Sequence, residues 1–359
     1  MDIQEQIESI QKEIRETPYH KGTEHHIGML RARIARLKDK QIETLSKKSG
    51  GGGGYSVKKQ GDATVVLVGP PSVGKSTLIN KLTNAKSKVA PYAFTTVSVI
   101  PGMMEYKDAR IQILDVPGLI EGAEEGKGRG REVLSVVRGA DLLVVMTEVK
   151  KLDAIERIKS TLERNGIRID KNHPKILVEK KISGGLTVHS NIKQEIGIET
   201  IKEVAREFGI KNGEITLKEK LSMEKLIDAF SRNRVYIPSI TVINKVDLFI
   251  DSLQATQHTS HTINISAENE VNLESFKEEI WNRLNFVRIF LVKLDEEPSF
   301  DNPVVVPSGK TLSDVALEIG PNFLEEKKKA KIWGTGAKYS GQEVSLSTVV
   351  KDGMQIRFI

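Results

Sequence analysis

Residues Gly69-Pro70-Pro71-Ser72-Val73-Gly74-Lys75-Ser76 form the pattern G-x-x-x-x-G-K-[ST], set between a short β-branched run, Thr64 to Val68, and a helix-forming stretch, Thr77 to Leu82. The pattern demands a buried strand, a tight turn, and a helix whose N-terminus faces an anion. Its glycines leave room for backbone N–H groups to wrap phosphate oxygens. Lys75 is placed to reach the β- and γ-phosphates, and Ser76 to ligate Mg²⁺. Thr77 follows in the first helical turn. The reading is therefore a nucleotide-binding α/β fold.

The rest of the chain supplies matching strands. Ile111 to Leu114, Leu142 to Met146, Val235 to Ile243 and Thr262 to Ile265 are short, apolar and β-branched. Pro238 is expected near the start of the third of these or at a bulge. Helical stretches fall between several of them, which predicts a mostly parallel sheet covered on both faces.

Three of these strands lead directly into polar loops. Asp115-Val-Pro-Gly118 follows the first. The carboxylate of Asp115 can hold Mg²⁺, and the Gly118 N–H can meet the γ-phosphate. Asn244-Lys245-Val-Asp247 follows the third. Asp247 can accept two hydrogen bonds, from guanine N1–H and the 2-amino group. Adenine offers neither, so an unpaired carboxylate there rejects ATP. Asn244 and Lys245 are expected to brace the loop and cover the base. Ser266-Ala267-Glu268 follows the last strand, with the Ala267 N–H expected on guanine O6. Between the phosphate loop and Asp115 lies Phe94-Thr95-Thr96. Thr96 is the expected Mg²⁺ ligand in the triphosphate state, released after hydrolysis, with Thr95 as its alternative. Lys75, Thr96 and Gly118 are the expected catalytic contacts.

Leu119 stands where Ras-like enzymes carry a water-orienting glutamine. Leucine cannot hydrogen-bond water, so slow intrinsic hydrolysis follows. The glycine-rich segment from Glu121 to Arg131 holds two arginines, Arg129 and Arg131, that are either an internal arginine finger or solvated charges or partner contacts.

One interval is too long for simple strand–helix alternation. A helix near Lys151 to Arg164 is followed by some seventy residues before the next sheet strand, and structureless loops of that length are uncommon. Lys175 to Ile182 reads as a strand, Ser183-Gly184-Gly185 as a turn, and Glu199 to Phe208 and Met223 to Phe230 as helices. Residues 167–234 are therefore a small α/β domain inserted between the two parts of the nucleotide domain, 61–166 and 235–287. Residues 288–359 hold strand-like runs around Thr311-Leu-Ser-Asp314, a capping-box pattern, and read as a β-grasp. In residues 1–60, Ile3, Ile7, Ile10 and Ile14, then Ile27, Leu30, Ile34 and Leu37, make two helical stripes broken at Thr17-Pro18. Thr23 is a candidate cap for the second helix. This hairpin either packs on its own chain or offers Arg31, Arg33, Arg36, Lys38 and Lys40 to RNA or a partner. A glycine linker, Gly50 to Gly54, follows.

Lysine and arginine total 54 against 48 acidic residues, a net charge of +6 that permits RNA contact as readily as a mixed solvated surface. There is no cysteine, which excludes disulfides, thiolate metal sites and cysteine nucleophiles. No apolar run nears the roughly 20 residues of a membrane helix. The expectation is a soluble, cytoplasmic protein without membrane contact.

Over nearly its whole length the chain resembles the developmentally regulated GTP-binding family, in the Obg–HflX group of GTPases. The likeness lies in HHIGMLRARIARLK, the glycine run, PSVGKSTL, FTTVSVIPG, LDVPGLIEGAEEGKGRGREV, NRVYIPSITVINKVD and the WG of the tail. The resemblance implies an N-terminal helical region, a P-loop GTPase core, an insert similar to part of ribosomal protein S5 and a C-terminal TGS domain. It also implies GTP and GDP as ligands, ribosome or rRNA/tRNA contact, and a small zinc-finger protein as regulator. Relatives that use K⁺ carry asparagine where this chain has Ser72. A hydroxyl can still coordinate, so K⁺ stays a candidate cofactor beside Mg²⁺. The expected function is a slow GTPase switch in translation; the alternative is a scaffold that nucleotide merely stabilises.

Overall fold

The computed structural model describes residues 3–18, 20, 22–48, 60–83, 90–91, 98–116, 129–248 and 261–359. The chain divides into two compact units, Met1–Gly54 with Gly166–Tyr236, and Tyr55–Asn165 with Ile237–Ile359. The linker Gly50 to Gly54 lies outside the described residues.

The second unit is built on a sheet that contains β1 (Ala63–Val68), β2 (Ala90–Pro91), β3 (Ser98–Tyr106), β4 (Ala109–Asp115), β5 (Leu142–Glu148), β11 (Ser239–Asn244) and β12 (Thr262–Asn264). Their order is β12-β11-β5-β1-β4-β3-β2. The five from β12 to β4 run parallel, and β3 and β2 are antiparallel additions. Every residue of β1 and β11 is buried, because helices cover both faces of a parallel sheet. Helix α3 (Lys75–Leu82) buries Leu78, Ile79 and Leu82 on it, and the helix Leu273–Leu284 buries Phe276, Ile280 and Trp281. Each such side chain contributes about 1.5–3 kcal/mol through removal from water.

Two strand expectations need correction. Val235 to Ile243 is not one strand. β10 (Val235–Ile237) pairs with β6 (Ile167–Ile169), whereas β11 joins the large sheet. Pro238 divides them because it has no N–H to give either ladder; its carbonyl accepts from the Leu143 amide at 3.0 Å. β3 was not anticipated, since Pro101 and Gly102 argue against a strand. It is tolerated because β3 is nearly an edge: among the described residues only the two-residue β2 lies beyond it, against Ser98 and Val99.

The same unit carries a five-stranded sheet ordered β14-β13-β17-β15-β16, from β13 (Phe286–Leu291), β14 (Pro303–Pro307), β15 (Lys329–Gly334), β16 (Gln342–Ser345) and β17 (Met354–Phe358). The helix Leu312–Ile319 covers one face with Leu312, Val315 and Ala316. Its capping box forms as the sequence predicts, with the Thr311 amide donating to Asp314 and the Asp314 amide to the Thr311 hydroxyl. This is the β-grasp arrangement. Phe286 and Val305, on the opposite face, belong to the core of the large sheet.

The β3–β4 hairpin ties these parts together at its tip. Tyr106 Oη donates to Glu278 Oε2 at 2.7 Å, Lys107 Nζ lies 2.7 Å from the same carboxylate, and Asp108 sits 3.6 Å from Arg288 of β13.

In the first unit, β7 (Ile176–Lys180), β8 (Leu186–Ser190) and β9 (Gly213–Leu217) form a sheet ordered β7-β9-β8. The helices Ile198–Glu207 and Met223–Phe230 pack on it, and Ala32 and Ala35 of α2 (Glu24–Lys48) enter the same core. The hairpin of α1 (Ile3–Glu16) and α2 thus does pack on its own chain. Arg33 and Arg36 face Glu207 at 3.6 and 3.2 Å, while Arg31 and Lys40 are exposed. The Thr23 hydroxyl does not cap α2; it closes the preceding turn onto the Pro18 and His20 carbonyls. At the stem, Arg168 and Arg234 both grip the Asp228 carboxylate, at 2.5 and 2.7 Å.

Two outcomes follow. Phe276 is fully buried, so Phe276→Ala should lower stability by about 3–5 kcal/mol, read as a shifted urea midpoint. The bond to Glu278, aided by burial, pushes the Tyr106 pKa up to about 12. Because the folded value exceeds the unfolded one of about 10, the bond's stabilisation is complete below the unfolded value and lost as pH rises through the folded one. An alkaline absorbance titration should show a phenol ionising near 12 that disappears in Tyr106→Phe.

Candidate functional site

β1 lies between β4 on one side and β5 on the other, so the strand order reverses there. A crevice at the carboxyl ends of such strands is where open α/β sheets bind ligands. The parallel strands β1, β4, β5, β11 and β12 all end on that side.

The phosphate loop is shaped by close approach. A Cβ on Gly69 would lie 2.1 Å from the Met146 carbonyl oxygen. Gly74 has φ of +94°, and a Cβ there would lie 2.4 Å from Asn244 Nδ2. Neither position can carry a side chain. Ser72 is also left-handed, at φ +63°, a conformation that costs a non-glycine residue about 1–2 kcal/mol. Pro70 and Val73 are buried, Pro71 and Ser72 exposed, and Thr77 half-buried in the first turn of α3. The Lys75 ammonium is buried within the loop and donates to the Gly69 and Pro70 carbonyls, both at 3.0 Å.

Beside it, Ser76 Oγ donates to Asp115 Oδ2 at 2.9 Å. Asp115 is 5% exposed, and its other oxygen, Oδ1, is buried with no hydrogen-bond partner. A buried orphan carboxylate oxygen is costly unless a cation or donor meets it. A hydroxyl and a carboxylate side by side suit Mg²⁺, a hard cation that commonly takes one or two protein oxygens with phosphate and water. Among the described residues no cluster of three or more His, Asp or Glu forms a separate metal site.

The base side is organised by Asn244. Its Nδ2 donates to the Val73 carbonyl at 2.8 Å, and its Oδ1 accepts from the Ala267 amide at 2.9 Å. One buried carboxamide therefore joins the phosphate loop to the Ser266–Ala267 loop. The Ala267 N–H was expected on guanine O6; here it serves this brace, and a base oxygen would have to share it. Ser266 is buried and its Oγ accepts from the Asn269 amide, while Glu268 is exposed. Lys245, left-handed at φ +62°, reaches back with Nζ to the Ser72 carbonyl at 2.7 Å. Asp247 is half-exposed in the turn Val246–Leu248, with no hydrogen bond to its carboxylate among the described residues.

Phe94, Thr95, Thr96 and Gly118 lie outside the described residues. Two contributors were missed by sequence reasoning. Met146 supplies the carbonyl against Gly69. Glu148, the last residue of β5, bonds Lys245 at 2.8 Å and Lys151 at 2.9 Å. The Lys245 hydrogen bond, then that of Lys151, holds the Glu148 carboxyl below the usual range. The available signal was its place at the carboxyl end of a central strand.

Comparison with known proteins agrees with this geometry. Residues 64–181 match the family described as a 50S ribosome-binding GTPase, residues 183–286 a C-terminal region of that domain, and residues 287–359 the TGS domain. An uncharacterized GTP-binding protein of Methanocaldococcus jannaschii is 42% identical, covering 98% of this chain and 92% of the relative. Developmentally-regulated GTP-binding protein 1 of Xenopus laevis is 39% identical over 98% of each chain. Developmentally-regulated GTP-binding protein 2 of Homo sapiens is 36% identical over 97% of this chain and 96% of that one.

Asn244→Ala removes both bonds of the brace and leaves the Val73 carbonyl and the Ala267 amide without them. Such losses cost about 1–3 kcal/mol each, so GDP affinity measured by calorimetry should fall at least about tenfold. Unchanged affinity would show that the two loops hold each other by other means.

Proposed function

The chain belongs to the developmentally regulated GTP-binding protein family, and from that premise we propose that it is a switch that binds GTP with Mg²⁺, hydrolyses it slowly to GDP and phosphate, and acts on the ribosome in translation. The observation that carries the nucleotide part is the Asn244 carboxamide, which locks the phosphate loop and the base loop into one site.

In this reading the loop Gly69 to Ser76 wraps the phosphates with its backbone N–H groups, which Pro70 and Pro71 lack. Lys75 exchanges its two carbonyl partners for β- and γ-phosphate oxygens. Ser76 and Asp115 would hold Mg²⁺, with Thr96 added in the triphosphate state; bound there, it would supply positive charge beside the phosphates. The Gly118 N–H meets the γ-phosphate, and Asp247 selects guanine. Phe94 and Thr95 flank Thr96, and Glu268 closes the base loop. Leu119 leaves water without an orienting side chain, so turnover is slow until a partner, a cation or another group supplies one. Ser72 keeps K⁺ among the candidates for that cation.

Loss of the γ-phosphate releases the segments of Thr96 and Gly118. The insert 167–234, the N-terminal helices and the tail 288–359 then pass the change to a partner. The matched family's description as a ribosome-binding GTPase supports a ribosomal partner. The net charge of +6 and the exposed Arg31 and Lys40 of α2 are compatible with rRNA or tRNA. No helix among the described residues is long and apolar enough to cross a membrane, which is compatible with a cytoplasmic site of action.

Two measurements test the proposal. Asp247→Asn should weaken GTP and favour xanthosine triphosphate, and a preference for ATP in the parent chain would reverse the assignment. In lysate sedimentation the protein should travel with ribosomal particles when given a non-hydrolysable GTP analogue and leave them with GDP. Thr96→Ala should abolish that difference; equal partner binding with both nucleotides would favour a scaffold instead.

A further inference from the structure

Around Lys245 the structure concentrates features that base recognition alone does not use. Lys245 and Ser72 are both left-handed without being glycine, at φ +62° and +63°. They belong to different loops, yet the Lys245 ammonium donates to the Ser72 carbonyl at 2.7 Å. The same ammonium lies 2.8 Å from Glu148 Oε2. The other oxygen of Glu148 lies 2.9 Å from Lys151. Lys151 ends the turn Val149–Lys151, and its carbonyl accepts from the Thr147 hydroxyl at 2.7 Å. Glu148 is itself 13% exposed, whereas Lys245 is 35% exposed.

We infer that Glu148 is a positioning residue for guanine-nucleotide binding: its carboxylate fixes the Lys245 ammonium against the Ser72 carbonyl, and so holds the base loop and the tip of the phosphate loop in their strained conformations. The inference rests on the GTP-binding reading of this site. Strained residues persist where the surroundings over-determine them. Here three groups do so: a carbonyl on the phosphate loop, an ammonium on the base loop and a carboxylate on the strand between them. β5 lies between β1 and β11, so the end of that strand lies between the strands that lead into the two loops. A carboxylate there accepts charge-assisted hydrogen bonds, the stronger kind. An amide in its place keeps the shape and loses the charge, leaving Lys245 to share its ammonium between one carbonyl and water.

The partners of Glu148 are Lys245 and Lys151, whereas Ser76 and Asp115 bond each other. Loss of Glu148 should therefore weaken binding of GTP and GDP alike and leave the chemical step alone. The test uses the full chain and a fluorescent guanosine diphosphate. Glu148→Gln should weaken binding about tenfold, the scale of one lost charge-assisted bond. Single-turnover hydrolysis at saturating GTP should stay within about twofold of the parent. In the Lys245→Ala background, Glu148→Gln should have no further effect on affinity, because the group it acts through is gone. A merely structural role gives a different pattern: a lower melting temperature without nucleotide, and a binding loss that adds in full to that of Lys245→Ala. That pattern, or parent-like affinity in Glu148→Gln, overturns the inference. Failure of the unmutated chain to bind the probe overturns the GTP reading itself and this inference with it.

Discussion

One buried carboxamide sets the terms for this site. Asn244 has a donor and an acceptor on the same rigid plane, and each meets a backbone group of a different loop. Both loops need such support, because neither is held by a regular ladder. The phosphate loop must keep its amides pointed inward, which leaves its own carbonyls in search of donors. Asn244 supplies one donor, at Val73, and Lys75 supplies two more, at Gly69 and Pro70. Close approach of Asn244 to Gly74 explains why that position tolerates no side chain. The sheet places Asn244 there: β11 adjoins β5, and β5 adjoins β1.

Charge is distributed around that frame with the signs kept apart. At the start of α3 stand the Ser76 hydroxyl and the buried Asp115 carboxylate, with one unmet oxygen. At the base side a lysine is neutralised by Glu148, itself shared with Lys151. Within the loop the Lys75 cation rests on carbonyls that phosphate oxygens can replace at little rearrangement. Such preorganisation is what phosphoryl transfer requires of a protein, since positioning and electrostatics supply most of the effect.

The motifs were legible because they are short, local and follow strands whose burial shows as unbroken apolar runs. Gly69 to Ser76, Asp115 and Asn244 can be placed at one sheet edge from the sequence alone. Glu148 could not, because a single glutamate after Leu-Leu-Val-Val-Met-Thr has no spacing partner; its meaning comes from Lys245, far along the chain. β3 was hidden by Pro101 and Gly102, residues that local propensity counts against a strand and that an almost-edge position excuses. Pro238 was expected near the start of a strand or at a bulge; it does stand just before β11, but the residues ahead of it belong to another sheet. The partner of the Ala267 amide was likewise beyond reach, since a carboxamide competing for a backbone donor is a matter of ångströms.

The pairing of β6 with β10 has an entropic side. The Val235 amide donates to the Gly166 carbonyl at 3.2 Å, so the two ends of the long intervening segment lie side by side. Ring closure for a chain of that length is thermodynamically mild, growing only with the logarithm of loop size. Once the two strands pair, the ends of the segment are held beside each other whatever lies between them. Lengthening or shortening what lies between leaves that pairing unchanged, so a segment of this kind can take up new residues at small entropic cost.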